Sequence, residues 1–586
     1  MNPEQLLRKS LQLLSVGSKP KKDDDLEAFE NWEELDVKRQ YELVCKEINF
    51  GWSFPTISLV NLMKHKWKHE YDSANYQESA LTLLQSQALS LRHQTLHQYF
   101  KRVSNNESDE ITEMQQSIMA FHNEAEDNKQ LMKWIESLPK NWRIVQMSID
   151  DDRMESRFKK TPADNAIQHN FPLKLVVVEC GTSNITVHSV PAIPSRDEFP
   201  SLQHELQEIL KLHKMMYKAS SISGVESIKG RYKETRDEVE NRLKSLILVL
   251  ENKWLGYNKV LLLGKSLHDE EVIKYCHQIQ KSYFPKDENF GKSGRKELLR
   301  KVVDGFEFLS EDEFKEAILH IIKADGGGGL KDFNSDLLEN VTEFSQTLIH
   351  KSPKRHPTVL ILDKEIQGLP WESLGCLQNH SITRVPSVHQ LISLYFTQTK
   401  NAQSVPNTGI HQDKIFYVLN PDQNLAKTQA RLEPTLASMS IKEGIVGEQP
   451  TNPQMKKVLS EMDAFMYCGH GANLKNFTSQ DIEKLNARAI PLLFGCNSGR
   501  LERLGRRLDP MGLVNHYLIA TAPCTLGFLW SVTDKDVDNW TVTLLKYWIE
   551  GKREFVQSVA EKRCDFERMI NRAAVVLYGL PSLKYT

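Results

Sequence analysis

Two residues in the last third of the chain could form the reactive pair of a cysteine hydrolase. Cys496 follows the apolar run "PLLFG" (491–495), and His470 stands between two glycines after "AFMYC" (464–468). A thiol attacks a carbonyl efficiently only as the thiolate, and a nearby imidazole can take its proton and later protonate the leaving amine. The oxyanion that forms needs donors already in place, and the backbone N–H groups of Gly471 and Cys496 are the candidates.

Each of these residues has a simpler explanation when it is taken alone. A single buried cysteine is usually a small core residue, and a single histidine is usually a satisfied polar group. Their joint placement beside glycines, at the ends of successive strands, favours a catalytic pair. Cys468 and Cys524 are expected to be core residues, because one precedes the Gly-His-Gly turn and the other opens a strand.

The elements that must position this pair are short buried strands. Five apolar runs, separated by segments long enough for crossover helices, lie at 358–364, 414–420, 464–468, 490–496 and 524–530. This alternation predicts a mostly parallel α/β sheet. Chemistry on such a sheet belongs at the carboxyl ends of its strands, where His470 and Cys496 stand and could converge.

The first part of the chain has a different pattern. Residues 1–140 are predicted to be helical from apolar residues at three- and four-residue spacing. Strands are predicted at 142–149, 173–180, 184–193 and 259–264, a long charged helical stretch at about 198–256, and an exposed loop at 283–300.

The overall composition excludes several classes of protein. The net charge of the 586 residues is −2, which indicates no nucleic-acid or acidic-membrane partner. No apolar run approaches the ~20 residues of a membrane span, and no secretory signal is recognisable. Eight scattered cysteines without a C-x-x-C pair indicate a reducing intracellular compartment rather than a zinc site or disulfide framework. No metal or organic cofactor is implied.

Five stretches of the sequence resemble separases, which are cysteine proteases with a caspase-like fold. The pair "YCGHGA" and "PLLFGC" is similar to the two catalytic motifs of that family. The stretches "LPKNWRIVQMSI" (138–149), "LILDKEIQGLPWESL" (360–374) and "LWSVTDKDVD" (529–538) resemble further family segments. The resemblance covers roughly residues 138–586.

The resemblance implies an activity and the roles of the reactive pair. Separases cleave the kleisin subunit of cohesin at anaphase onset, after an arginine that typically has glutamate three residues before it. By the motif match, Cys496 is the nucleophile and His470 the base. Another caspase-like cysteine protease of different specificity, or a catalytically dead scaffold, are the alternatives.

Arginine selectivity requires a carboxylate in the binding pocket, because guanidinium pairs bidentately with it. Asp534, Asp536 and Asp538 of "TDKDVD" are the candidates for this role. Asp534 is favoured and Asp536 comes second, since the two share the same strand parity. A solvated acidic turn capping a helix that starts near Asn539 is the alternative.

The resemblance also implies a fold and a division of the chain. The expected fold is an α/β caspase-like protease module with a pseudo-protease half and an active half, preceded by an α-helical N-terminal region. The expected boundaries are 1–140 for the helical region, 141–345 for the pseudo-protease half and 346–586 for the active half. The helical stretch 198–256 would be an insertion or a packing arm.

Partners follow from the same resemblance. They are the cohesin kleisin as substrate, a securin-like pseudosubstrate inhibitor, and a separate helical chain in place of the long N-terminal arm that separases commonly carry. The expected location is the cytoplasm, with access to chromosomes and spindle in mitosis. The stretch "ELLR" (Glu297–Arg300), in the expected loop, matches the Glu-x-x-Arg pattern and is a candidate for self-cleavage.

Overall fold

A single eleven-stranded sheet forms the centre of the fold. The computed structural model describes residues 56–103, 110–120, 124–150, 171–193, 201–220, 226–267, 269–285, 290, 294–323, 333–349, 354–471, 474–503 and 508–585. The strands are β1 (Arg143–Ile149), β2 (Leu173–Glu179), β3 (Ile185–Val190), β4 (Thr358–Leu362), β5 (Ile382–Arg384), β6 (Ile415–Leu419), β7 (Glu443–Val446), β8 (Ala464–Cys468), β9 (Ile490–Leu493), β10 (Cys524–Phe528) and β11 (Val575–Gly579). Their order is β3-β2-β1-β4-β5-β11-β10-β9-β8-β6-β7.

The sheet consists of two groups of parallel strands, and the strands of one group run antiparallel to those of the other. Strands β1, β4, β5 and β11 are parallel to one another, and so are β10, β9, β8, β6 and β7. The groups meet at the antiparallel pair β10–β11, and β2 and β3 continue antiparallel from β1. The predicted α/β class with a mostly parallel sheet is confirmed, and the carboxyl ends of β8, β9 and β10 share one edge.

Helices flank this sheet, and most of them were expected. They are α1 (Thr56–Asp72), α2 (Tyr76–Ser86), α3 (Leu89–Val103), α4 (Glu110–Met119), α5 (Glu124–Glu136), α6 (Leu202–Ser220), α7 (Glu226–Leu248), α8 (Asp269–Tyr283), α9 (Arg295–Asp304), α10 (Glu311–Lys323), α11 (Phe333–Ile349), α12 (Val388–Lys400), α13 (Val405–Thr408), α14 (Ala426–Ser438), α15 (Asn452–Glu461), α16 (Ser479–Glu483), α17 (Leu513–Ile519), α18 (Asp534–Leu545), α19 (Phe555–Lys562) and α20 (Met569–Arg572). Within the described residues, none of them combines the length and apolar content that crossing a bilayer requires.

Strand β8 is buried on both faces. In β8, Met466 and Cys468 join the main core, whereas Phe465 and Tyr467 join a second core. Because no face of such a strand meets water, it reads as a continuous apolar run, which is why β8 could be located from the sequence.

Two local predictions are wrong. Residues 259–262 of the expected strand 259–264 belong to a 3₁₀ helix, Gly256–Leu262, which follows a π-helical turn, Val249–Leu255. A short apolar run is buried both in a core strand and in a core helix, so the sequence pattern could not distinguish the two. The exposed loop expected at 283–300 is wrong from Arg295 onward, where α9 begins and the side chains of Arg295, Glu297 and Arg300 are buried.

Helix α9 places the "ELLR" stretch in a buried network of charges. Arg300 pairs with Glu179 at 2.5 Å and with Glu297 at 3.3 Å. Arg143 pairs with the same two carboxylates at 2.6 and 3.1 Å. A buried, helical, ion-paired arginine is not an exposed loop substrate, so the expected position of the self-cleavage candidate is wrong.

The sheet crosses the expected boundary at residue 345. Strand β1 pairs with β4 over five positions, from Arg143↔Thr358 to Met147↔Leu362. The two expected halves therefore share one continuous sheet, and the division at 345 stays a prediction. The described part of the N-terminal region is helical, as expected, and it packs on the sheet through contacts such as the Gln146 side-chain amide on the Leu83 carbonyl at 2.7 Å.

Candidate active site

A cleft opens at the carboxyl ends of β8, β9 and β10. It has a volume of about 370 Å³ including its open mouth, and its lining includes His470, Cys496, Val532, Asp534 and Asp538. The histidine follows β8 and the cysteine follows β9, which are adjacent parallel strands. The structure therefore brings together the two residues that the sequence pattern singled out.

The thiol of Cys496 is half-buried and is held by a neighbouring peptide. Its Sγ lies 3.4 Å from the backbone N–H of Val532 and 3.5 Å from the Val532 carbonyl. Burial raises the pKa of Cys496, and the nearby negative charge of Asp534 acts in the same direction, while the contact with Val532 opposes it. The raised pKa favours the protonated thiol, and the exposed imidazole of His470 lies at the same cleft.

Two glycines allow the loops after β8 and β9 to approach each other. A Cβ on Gly495 would lie 1.4 Å from the carbonyl oxygen of Gly471. Gly471 itself has a φ of +66°, a conformation that glycine adopts without strain. Close packing of the two loops thus explains why residue 495, next to Cys496, is a glycine. Any side chain at this position would force the loops apart.

The turn that follows the cysteine is fixed by backbone and side-chain contacts. Asn497 has a left-handed φ of +59°, and its N–H donates to the Trp530 carbonyl at 3.3 Å. The Ser498 hydroxyl donates to the Leu493 carbonyl at 2.9 Å and accepts the Phe528 N–H at 3.0 Å. These bonds tie the turn to both β9 and β10.

The two expected oxyanion donors are compatible with that role. Neither the N–H of Gly471 nor the N–H of Cys496 donates to a backbone carbonyl of the described residues. Cys496 lines the cleft, and Gly471 directly follows the lining residue His470. Their role in stabilising an oxyanion stays a prediction.

The acidic segment is helical, which corrects the expected geometry. Helix α18 begins at Asp534, five residues before the expected start near Asn539. Residues four apart on a helix share a face, so Asp534 and Asp538 both line the cleft. Asp536 points to another side of the helix, and the expectation that it shares a face with Asp534 is wrong.

The carboxylate of Asp536 is committed to the fold. It accepts the backbone N–H groups of Glu567 at 3.0 Å and Arg568 at 3.3 Å. It also accepts the side-chain amide of Asn571 at 2.7 Å. Asp536 therefore anchors the start of α18 and does not line the cleft.

The two acidic residues that do line the cleft differ in their partners. Asp538 accepts the Thr428 hydroxyl at 3.0 Å and pairs with Arg431. Burial raises the pKa of Asp538, and the Arg431 guanidinium opposes that shift. Asp534 is exposed, and no side chain in the described part of the chain pairs with its carboxylate. Asp534 is thus open to a cationic ligand.

The other cysteines near the site belong to the core. Cys468 borders the cleft but is only 3% exposed, and Cys524 is fully buried in β10. Burial raises the pKa of both thiols far above the ordinary value. All cysteines in the described ranges are free thiols.

Several residues of the site carried no sequence signal. Val532 contacts the thiol through its backbone, which no side-chain pattern reports. Thr428 and Arg431 reach Asp538 from α14, more than a hundred residues earlier in the chain. Only the fold makes these contacts visible.

Known proteins are similar to this chain in sequence and in fold. The model of the family "Separin, protease domain" matches residues 189–537. Separin of Mus musculus is 32% identical over 346 residues, which are 58% of this chain and 16% of the mouse protein. Separin of Schizosaccharomyces pombe is 30% identical over 484 residues, which are 77% of this chain and 25% of the yeast protein.

A solved structure gives the same picture for the fold. The Saccharomyces cerevisiae separase in a separase–securin complex at 2.6 Å resolution superposes with a TM-score of 0.70 at 20% identity, over 100% of this chain and 40% of that chain. The chain spans a quarter or less of the length of these two curated relatives. Because the family model matches more than half of its residues, the chain belongs to the separin protease-domain family.

Proposed function

We propose that this chain is the protease part of a separase. It is a cysteine endopeptidase that cleaves the kleisin subunit of cohesin after arginine, at Glu-x-x-Arg sites, and so triggers sister chromatid separation. The observation that carries the proposal is the placement of His470 and Cys496 in one cleft, at the ends of adjacent parallel strands. Family membership supports the role in chromosome segregation.

The reaction begins with the removal of a proton from Cys496. Because burial raises the pKa of this thiol, His470 acts as the base that takes its proton when substrate is bound. The thiolate then attacks the carbonyl carbon after the substrate arginine. The imidazolium returns the proton to the leaving amine as the C–N bond breaks, and water hydrolyses the thioester.

The charge that develops on the carbonyl oxygen requires fixed donors. Cys496 lines the cleft and Gly471 directly follows the lining residue His470, so their backbone N–H groups are proposed as the two donors to the carbonyl oxygen. A Cβ on Gly471 would meet nothing within 4 Å, so the space beside this residue is open to a substrate backbone.

Selectivity for arginine is assigned to Asp534. Its carboxylate faces the cleft, and the neighbouring Asp538 is already neutralised by Arg431. A substrate guanidinium that enters the cleft would therefore pair with Asp534, which can accept two parallel N–H bonds. Asp536 is not assigned this role because its carboxylate already accepts hydrogen bonds from the Glu567 backbone and the Asn571 side chain.

The proposed partners follow from the same site. The structural neighbour is a separase–securin complex, so a securin-like chain that occupies the cleft as a pseudosubstrate is proposed for this protein. The prediction of a separate helical chain on the N-terminal region also stands, and co-purification tests it. The proposed location is the cytoplasm, with access to mitotic chromosomes.

Turnover of a fluorogenic peptide that contains Glu-x-x-Arg tests the proposal. The variants are Cys496→Ser, His470→Ala and Asp534→Asn, with Asp312→Asn as the matched control. Asp312 is also an exposed aspartate in the first turn of a helix, but it lies in α10 and does not line the cleft. The protein is used with whatever chain co-purifies.

The expected result is turnover that requires Cys496, His470 and the arginine of the peptide, and that Asp312→Asn leaves unchanged. Turnover that requires the pair but not the arginine would favour a caspase-like protease of different specificity. Folded, partner-bound protein that cleaves no peptide would favour a catalytically dead scaffold.

A further inference from the structure

A helical hairpin that is remote in sequence reaches the loop beside the nucleophile. The hairpin consists of α6 and α7, and the loop comprises residues 531–533. His213 of α6 is buried at 3% exposure, and its Nε2 lies 3.0 Å from the backbone carbonyl of Ser531. A carbonyl can only accept, so Nε2 is the nitrogen that carries the hydrogen.

The carbonyl that His213 contacts belongs to the peptide unit that touches the thiol. The C=O of Ser531 and the N–H of Val532 form one planar unit, and in a trans peptide they point in opposite directions. The Val532 N–H lies 3.4 Å from Sγ of Cys496. Holding the carbonyl end of this rigid unit therefore fixes the direction of its N–H end toward the nucleophile.

The same hairpin has a second anchor near the loop. Glu240 of α7 accepts the backbone N–H groups of Met569 at 2.9 Å and Ile570 at 3.4 Å. The carbonyl of Ile570 in turn accepts the indole N–H of Trp530 at 2.8 Å, directly before the loop. The hairpin thus contacts the loop directly from α6, and from α7 it supports the segment that binds Trp530, the residue before the loop.

The hairpin is itself firmly held. Arg242 of α7 and Glu205 of α6 form a two-pronged ion pair at 2.8 and 2.9 Å. Apolar side chains of both helices, Leu206, Ile209, Leu243 and Leu246, belong to the main core. Contacts of this kind make the hairpin a fixed support rather than a loose appendage.

We propose that the α6–α7 hairpin positions the nucleophile, and that His213 is the positioning residue, because it orients the Ser531–Val532 peptide against the thiol of Cys496. The inference rests on the proposed function and extends it to a part of the chain outside the cleft. An N–H donor stabilises a thiolate more than a thiol, so losing this orientation lowers the thiolate fraction at a given pH. Asp534 keeps its place, because Asn571 also holds Thr533 through its backbone N–H at 3.3 Å.

The test compares three variants of the hairpin in the full chain with its co-purifying partner. His213→Leu keeps bulk but removes the donor, and His213→Gln restores an N–H donor. His204→Ala is the matched control, since His204 is an exposed histidine of the same helix. Iodoacetamide alkylation of Cys496 is followed by mass spectrometry from pH 7 to 10, and kcat and KM are measured on the arginine peptide.

We expect His213→Leu to slow alkylation at pH 8, and to lower kcat, by about three- to tenfold, which is the effect of one hydrogen bond. KM should change by less than about twofold because Asp534 is still held by the Thr533–Asn571 contact. His213→Gln should recover most of both losses, and His204→Ala should equal the wild type. If His213→Leu does not fold, Glu240→Ala removes the other anchor and is expected to give the same pattern.

If the His213→Leu variant has the same alkylation profile and the same kcat as the wild type, the inference is overturned. Equal losses in the leucine and glutamine variants, together with equal falls in Tm, would overturn it as well, because they would show packing alone. Alkylation needs no turnover. A wild-type chain that cleaves no arginine peptide would therefore contradict the proposed function, while the alkylation profiles would still decide the role of His213.

Discussion

Adding one methyl group at Gly495 should separate the two halves of the proposed active site. The substitution Gly495→Ala places a Cβ 1.4 Å from the Gly471 carbonyl oxygen and 3.0 Å from the Gly469 carbonyl oxygen. Both obstacles are backbone atoms of the loop that carries His470. The clash cannot be relieved by rotating a side chain, so one loop must move.

The size of the effect follows from that distance. Real Cβ atoms essentially never approach a neighbour closer than 3.0 Å, so the two loops must part by about 1.6 Å. A misplacement of ~1 Å at a reacting group lowers the rate about 100-fold, and overpacking of this kind destabilises a fold by roughly 1–3 kcal/mol. We expect kcat to fall at least about 100-fold, with a Tm lower by only a few degrees.

The assay measures peptide turnover and thermal unfolding of Gly495→Ala beside a matched glycine. Gly368→Ala is the control, because a Cβ there meets nothing within 4 Å, and Gly368 is exposed. We expect the control to keep wild-type kcat and Tm. A Gly495→Ala enzyme with wild-type kcat would refute the proposed close approach of the two loops and the steric reason for this glycine.

Three further perturbations have defined outcomes. Glu372→Ala leaves Arg384, its partner at 2.6 Å in a buried pair, without a carboxylate, so the free energy of unfolding in urea should fall by about 3–5 kcal/mol; a fall below about 1 kcal/mol would contradict this. Because burial raises the pKa of Cys496, its alkylation rate in the free enzyme should keep rising above pH 8.5, and a plateau below pH 8 would contradict the assigned direction. Asp534→Asn removes a negative charge that raises the pKa of Cys496, so alkylation of Cys496 at pH 8 should become faster. The same variant loses the proposed partner of the substrate arginine, so kcat/KM on the arginine peptide should fall about 10- to 100-fold. Slower alkylation, or an unchanged kcat/KM, would contradict the two roles given to Asp534.

The buried strands that precede His470 and Cys496, and the ends of these strands, were accessible from the sequence. Strands β8 and β9 are buried on both faces, so each is an uninterrupted apolar run that ends at a glycine-rich turn. That pattern located His470 and Cys496 at strand ends, and the parallel register of β8 and β9 makes those ends neighbours. Strand β5 was not predicted because it has only three residues, and β7 because it is a half-exposed edge strand. Strand β11 was not predicted either, although all five of its residues are buried.

Features that depend on distant contacts were not accessible. The alternating charges of "TDKDVD" suggested an extended segment, but Asn571 and the backbone around residue 567 hold Asp536 at the start of a helix. The polar stretch at 295–300 suggested a loop, but its charges are paired inside the protein with Glu179. His213 lies 318 residues from Ser531, in an otherwise ordinary amphipathic helix. No local pattern reports pairings of this kind.

Covalent capture of the nucleophile tests the central claim most directly. A Glu-x-x-Arg peptide that ends in an acyloxymethyl ketone is added to the wild type, to Cys496→Ser and to His470→Ala, and the modified residue is located by mass spectrometry. The account predicts a single adduct on Cys496 that forms at least about 100-fold more slowly without His470 and is suppressed by competing arginine peptide. An adduct on another cysteine, or equal labelling of Cys496 with and without His470, would contradict it.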